Sequence, residues 1–90
     1  MARPIRTIAV VSRYAHSFGL LSRAKQDKLI AQERFFKADA FHPRLHTHSL
    51  KGSLKGLWSY RVDRRYRVLF EFTGADSVLY HDVGDHDVYR

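Results

Sequence analysis

Leu57-Trp58-Ser59-Tyr60-Arg61-Val62-Asp63 is followed, after Arg64 and Arg65, by Tyr66-Arg67-Val68-Leu69-Phe70-Glu71-Phe72-Thr73. Both stretches alternate. Trp58, Tyr60 and Val62 share one side of the first, and Ser59, Arg61 and Asp63 share the other. In the second, Tyr66, Val68, Phe70 and Phe72 stand opposite Arg67, Leu69 and Glu71. A period of two with aromatic and β-branched residues on one side is the signature of half-buried strands. The short polar connection Asp63-Arg64-Arg65 suits an antiparallel hairpin. Ser77 to Val83 reads as a third strand, joined through Gly74-Ala75-Asp76 and ended by Gly84.

Upstream the period changes. Ile5 to Val11 is rich in β-branched residues and reads as a strand that joins the other three. Ser12 is a candidate cap for a short helix carrying Tyr14, Phe18 and Leu21 on one face, although Gly19 weakens it. Ser22 is a second candidate cap. Lys25 to Ala40 then repeats at helical spacing, with Leu29, Ile30, Phe36 and Ala40 inward, and Pro43 stops it. The expected fold is α+β: a helical hairpin packed on a mainly antiparallel four-stranded sheet, in the order β-α-α-β-β-β, as a single domain over residues 1–90.

The chain has 90 residues, 44% hydrophobic and 13% aromatic, enough for one modest core. It has no cysteine, which excludes a disulfide scaffold, an iron–sulfur site and a cysteine nucleophile. No apolar run is long enough to span a bilayer and no secretory leader is evident, so a cytoplasmic location with no membrane partner is expected. Sixteen Lys and Arg against nine Asp and Glu give a net charge of +7. All the basic residues but Arg90 precede Phe72, and the end of the chain is acidic. This balance favours a polyanionic partner without saying which. His42, His46 and His48 lie close together, but no cysteine or obvious carboxylate completes a metal set, and no cofactor is expected.

Three further stretches stand out: Leu45-His46-Thr47-His48-Ser49-Leu50-Lys51-Gly52, the basic loop between Gly52 and Gly56, and Val83-Gly84-Asp85-His86-Asp87-Val88-Tyr89. The Leu50-Lys51-Gly52 turn, the Trp58 to Val62 strand, Tyr66-Arg67-Val68-Leu69-Phe70 and the closing Gly84-x-His86-x-x-Tyr89 together resemble the RelE/ParE superfamily of bacterial toxins. Within it the chain is most similar to the RelE-like, YafQ-type branch, over nearly its whole length. The resemblance implies an mRNA-cleaving endoribonuclease of a type II toxin–antitoxin system, acting on the ribosome without a metal. It also implies a cognate antitoxin, held in a hetero-oligomeric complex.

The residues are compatible with that chemistry. Metal-free RNA cleavage takes a proton from the 2′-hydroxyl, stabilises a crowded anionic phosphorane and protonates the leaving 5′-oxygen. Histidine titrates in the right range for the proton steps, and arginine clamps phosphate. By the resemblance His48 is the general base and His86 the general acid, or the reverse. Arg67 matches the family's arginine after tyrosine, and Arg61 stands where the branch can carry histidine. Both alternate away from the aromatic set, so they share the open side of the sheet; a plain solvated arginine face has the same pattern. Lys51, Lys55, Arg64, Arg65, Tyr89 and Arg90 are the candidate RNA contacts. Arg65 departs from an acidic residue in some relatives, and Arg90 from a terminal aromatic. Two other readings share the fold or the charge: a ParE-type gyrase inhibitor that cuts nothing, and a non-enzymatic RNA-binding module.

Overall fold

The alternating pair forms the middle of a sheet. In the computed structural model, which describes residues 2–89 with the side chains of His86 and Asp87 excepted, five strands are β1 (Thr7–Val10), β2 (His48–Ser49), β3 (Trp58–Arg61), β4 (Arg67–Phe72) and β5 (Ser77–Gly84). Their order across the sheet is β1-β5-β4-β3-β2. β1 runs parallel to β5, and every other neighbouring pair is antiparallel. The expected four-stranded sheet is therefore five-stranded. The addition is two residues long, too short to show a period, and pairs His48 with Ser59 and Ser49 with Trp58.

Two helices, α1 (Ser12–Leu20) and α2 (Arg23–Ala38), cover one side of the sheet. Ser22 caps α2 by accepting from the Lys25 N–H at 3.2 Å. Ser12 caps nothing: the extended Val11 holds the cap position and Ser12 is already helical. α2 begins earlier and ends earlier than its period suggests. Asp39 turns extended after Ala38, and its carboxylate accepts from the Arg3 and Phe41 N–H groups at 3.0 Å each. Those two bonds, the Arg3 one foremost, hold its pKa below the usual carboxylate value. Pro43 lies beyond that stop and opens a separate 3-10 turn, Pro43–Leu45.

The core lies between helices and sheet. Phe36 stacks on Tyr60 with ring centroids 4.6 Å apart and meets Phe70 edge-on at 5.0 Å. Tyr14 packs on Tyr80 at 4.9 Å. Burying tyrosines leaves polar oxygens inside, and they satisfy each other: the Tyr60 and Tyr80 hydroxyls lie 2.8 Å apart. Burial pushes the pKa of both well upward, so both stay neutral. Ile30, expected inward, is 44% exposed because the α2 face that meets the sheet centres on Leu29 and Phe36. Leu69, on the other side of β4, is buried all the same, at 6% exposure. It lines a cavity with Leu54, Leu57 and Val88 above it, from the β2–β3 connection and from a closing 3-10 turn (His86–Tyr89).

Candidate functional site

The open side of the sheet collects most of the residues singled out from the sequence. Arg61 and Arg67 are directly paired across β3 and β4, the last pair before the hairpin turn. Opposed residues on one face of an antiparallel pair have Cβ atoms about 5 Å apart, where like charges repel. The Arg67 guanidinium is pinned: one Nη donates to the carbonyl oxygens of Asp63 at 2.7 Å and Tyr66 at 3.1 Å. The Arg61 Nε is buried and has no hydrogen-bond partner among the described residues. A buried N–H donor without an acceptor is costly, and an anion seated between the two guanidinium groups relieves both that cost and the repulsion.

His48 reaches the same side through β2. It pairs with Ser59, which lies two residues, or about 7 Å along the strand, from Arg61. The His48 ring is exposed and its Nδ1 lies 3.0 Å from the His46 carbonyl oxygen. A carbonyl can only accept, so Nδ1 carries the hydrogen, and the neutral ring presents its lone pair at Nε2. His46 can offer that carbonyl because its backbone is left-handed, with φ of 50°, and ends the Pro43–Leu45 turn.

The turn that closes the chain crosses the same side. Tyr89 donates its hydroxyl to Ser59 Oγ at 3.1 Å, which leaves Ser59 fully buried beside the His48 position. Residue 86 opens that turn, two residues beyond Gly84, which pairs with Arg67. The side chain of His86, and the whole of Arg90, lie outside the described residues.

Lys51 and Lys55 are exposed on the connection between β2 and β3. Gly52 and Gly56 make that connection possible, at φ of 67° and 96°, where a side chain would be strained. Arg64 and Arg65 are exposed at the β3–β4 turn. Asp63 builds this turn. Its Oδ1 accepts from the Arg65 and Tyr66 N–H groups at 2.9 Å, and its Oδ2 is paired with the Lys25 ammonium of α2. Burial alone would raise the Asp63 pKa, but the Lys25 pair and the two backbone donors outweigh it and hold the value at about 2. Asp63 and Lys25 were not singled out from the sequence, where Asp63 read only as turn chemistry.

The three neighbouring histidines do not converge among the described residues. The His42 Nδ1 instead accepts from the Arg44 N–H at 3.1 Å, capping a turn, and its ring packs on Phe35. No group of three metal-ligating side chains occurs among the described residues, and no helix among them is long and apolar enough to cross a membrane.

No protein-family model matches the chain, and no curated protein sequence matches it. Solved structures do. A YoeB/ParE toxin from Agrobacterium tumefaciens superposes with a TM-score of 0.76 at 18% identity, covering 90% of this chain and 99% of that one. The E. coli DinJ-YafQ toxin–antitoxin complex gives 0.73 at 18% identity, over 92% and 94%. The RelBE2 toxin–antitoxin complex of Mycobacterium tuberculosis gives 0.68 at 17% identity, over 92% and 93%. At such identities the likeness is one of fold, and the fold is that of the RelE/ParE-like toxins, YafQ-type members included.

Proposed function

We propose that the chain is the toxin of a type II toxin–antitoxin pair and a metal-independent endoribonuclease that cleaves mRNA through its 2′-hydroxyl. The observation that carries this is the shared placement of the Arg61–Arg67 pair and the His48 ring on one open sheet face, with the Arg61 Nε lacking an acceptor among the described residues and His48 presenting Nε2. A scissile phosphate fits between the arginines. His48 Nε2 takes the 2′-hydroxyl proton, and the 2′-oxygen attacks phosphorus. Arg61 and Arg67 hold the charge that builds on the phosphorane oxygens. The 5′-oxygen leaves with a proton, which the sequence resemblance assigns to His86. The products are a 2′,3′-cyclic phosphate and a 5′-hydroxyl. Lys51, Lys55, Arg64 and Arg65 extend the positive surface on either side for the flanking backbone.

The partners follow from the same reading. Two of the matched structures are toxin–antitoxin complexes, which supports a cognate antitoxin here. Messenger RNA on the ribosome, and hence a cytoplasmic location, is the setting that the sequence resemblance implies. A gyrase-binding toxin would need neither the lone pair of His48 nor the paired arginines Arg61 and Arg67.

Mapping RNA ends on translated messages tests the proposal. Wild-type chain should produce cuts with 5′-hydroxyl ends, and His48→Ala should reduce them at least a hundredfold while remaining folded. Undiminished toxicity of folded His48→Ala, with no cuts in either case, would sink the nuclease and favour the gyrase-type reading.

A further inference from the structure

On the same open side, lined by Leu69 two residues along β4 from Arg67, lies a cavity of about 210 Å³ that the cleavage chemistry does not use. Leu54, Leu57, Leu69 and Val88 form its apolar walls, and Asp82 and Arg13 supply charge. Asp82 exists there because of a bulge. β5 carries one extra residue opposite β4, so Leu69 pairs with Asp82 while Phe70 pairs with Tyr80. The insertion places His81 and Asp82 together on the cavity, where His81 Nε2 lies 2.8 Å from Glu71 Oε1.

Asp82 is only 7% exposed. Its Oδ1 accepts from the Val83 N–H at 2.9 Å and its Oδ2 from the Arg13 Nε at 3.0 Å. Two carboxylate oxygens offer about four acceptor positions, so each keeps one for another donor. The Arg13 side chain is 73% exposed, so the pair is screened by solvent on the arginine side. A buried carboxylate with spare acceptors, in a slot too small for a drug-sized molecule, suits one flat ring that presents two adjacent N–H donors.

We infer that this cavity is a base-reading subsite for guanine in the bound RNA, with the Asp82 carboxylate accepting from the guanine N1–H and N2–H2 groups. The leucine and valine walls sandwich the ring, and Arg13 at the mouth meets the adjoining phosphate. Adenine and cytosine offer only one exocyclic amino group where guanine offers two donors side by side. The inference rests on the RNA reading above. It adds that cleavage is selective for guanine near the cut.

Binding is read apart from cleavage by titrating the chain with GMP, inosine monophosphate, AMP and CMP and following backbone amide signals. GMP should move Leu69, Asp82 and Val88 and bind about tenfold more tightly than inosine monophosphate, which lacks the 2-amino group. Asp82→Asn should abolish that preference and improve AMP relative to GMP, because a carboxamide pairs one acceptor and one donor with adenine. Leu54→Phe fills the slot and keeps the carboxylate. It should lose GMP selectivity even if Asp82→Asn proves unstable. Equal binding of all four nucleotides, or shifts confined to Arg61 and Arg67, overturns the subsite. Cuts that continue with no guanine bias overturn it while leaving the nuclease intact. Selective GMP binding without any cleavage keeps the subsite and removes the nuclease.

Discussion

The two sides of the sheet are built from alternate residues of the same strands, yet they do different work. The helix side is filled by Phe36, Tyr60, Phe70, Tyr80 and Val68, all fully buried, with its two hydroxyls paired to each other. The open side holds Arg61, Arg67, His48 and Asp82, partly roofed by a four-residue turn and a glycine-bearing connection. Apolar burial on the first side offsets the cost of holding like charges side by side on the second. Residues adjacent in sequence should therefore separate into those that govern stability and those that govern activity.

Phe36→Ala should break the first side outright. Removing a ring that contacts Tyr60, Phe70 and Tyr80 costs about 3–5 kcal/mol, enough to unfold a domain this small, and urea denaturation will read it. Arg67→Ala should do the reverse. RNA cleavage falls about a hundredfold, close to 2.7 kcal/mol of transition-state stabilisation, while stability changes by roughly 1 kcal/mol through the lost carbonyl contacts. A cleavage rate that survives, or a collapse in stability, would erase the division between the sides. Tyr60→Phe probes the polar seam within the core. It strands the Tyr80 hydroxyl and should cost about 1–3 kcal/mol with cleavage unchanged per folded molecule.

The smallest effect concerns the junction of the two sides at Asp63. Its folded pKa of about 2 lies below the unfolded value near 4. The unfolded chain takes up the proton first, so this contribution is full above about pH 4 and is lost as the pH falls toward about 2. Asp63→Asn should flatten that acid limb in denaturation midpoints measured against pH. An unchanged limb would mean that another carboxylate sets it.

Much of this was legible in advance. The period of two in 57–63 and 66–73 placed Tyr60, Val62, Val68 and Phe70 in the core and turned Arg61 and Arg67 to the other side, because alternation is a local property of a strand. Ser22, the helix pair, and the joining of the first strand to the last three were also correct. The two-residue β2 was missed because nothing so short has a period. Ile30 was misplaced because the inward sector of α2 is set by where the sheet meets it. Leu69 looked like a member of the polar side, and only the chain folded over it makes it buried.

The amino-acid sequence by itself determined the two-layer α+β class, the face on which each arginine stands and the cationic character of the surface. Those are properties of neighbours along the chain. Tertiary structure alone decided that His48 pairs with Ser59, that Tyr89 returns to Ser59, that Lys25 anchors the Asp63 turn and that a bulge sinks Asp82 into a cavity beside Arg13. Each joins segments 11 to 69 residues apart. Their register is set by packing the whole core at once, which no local period encodes.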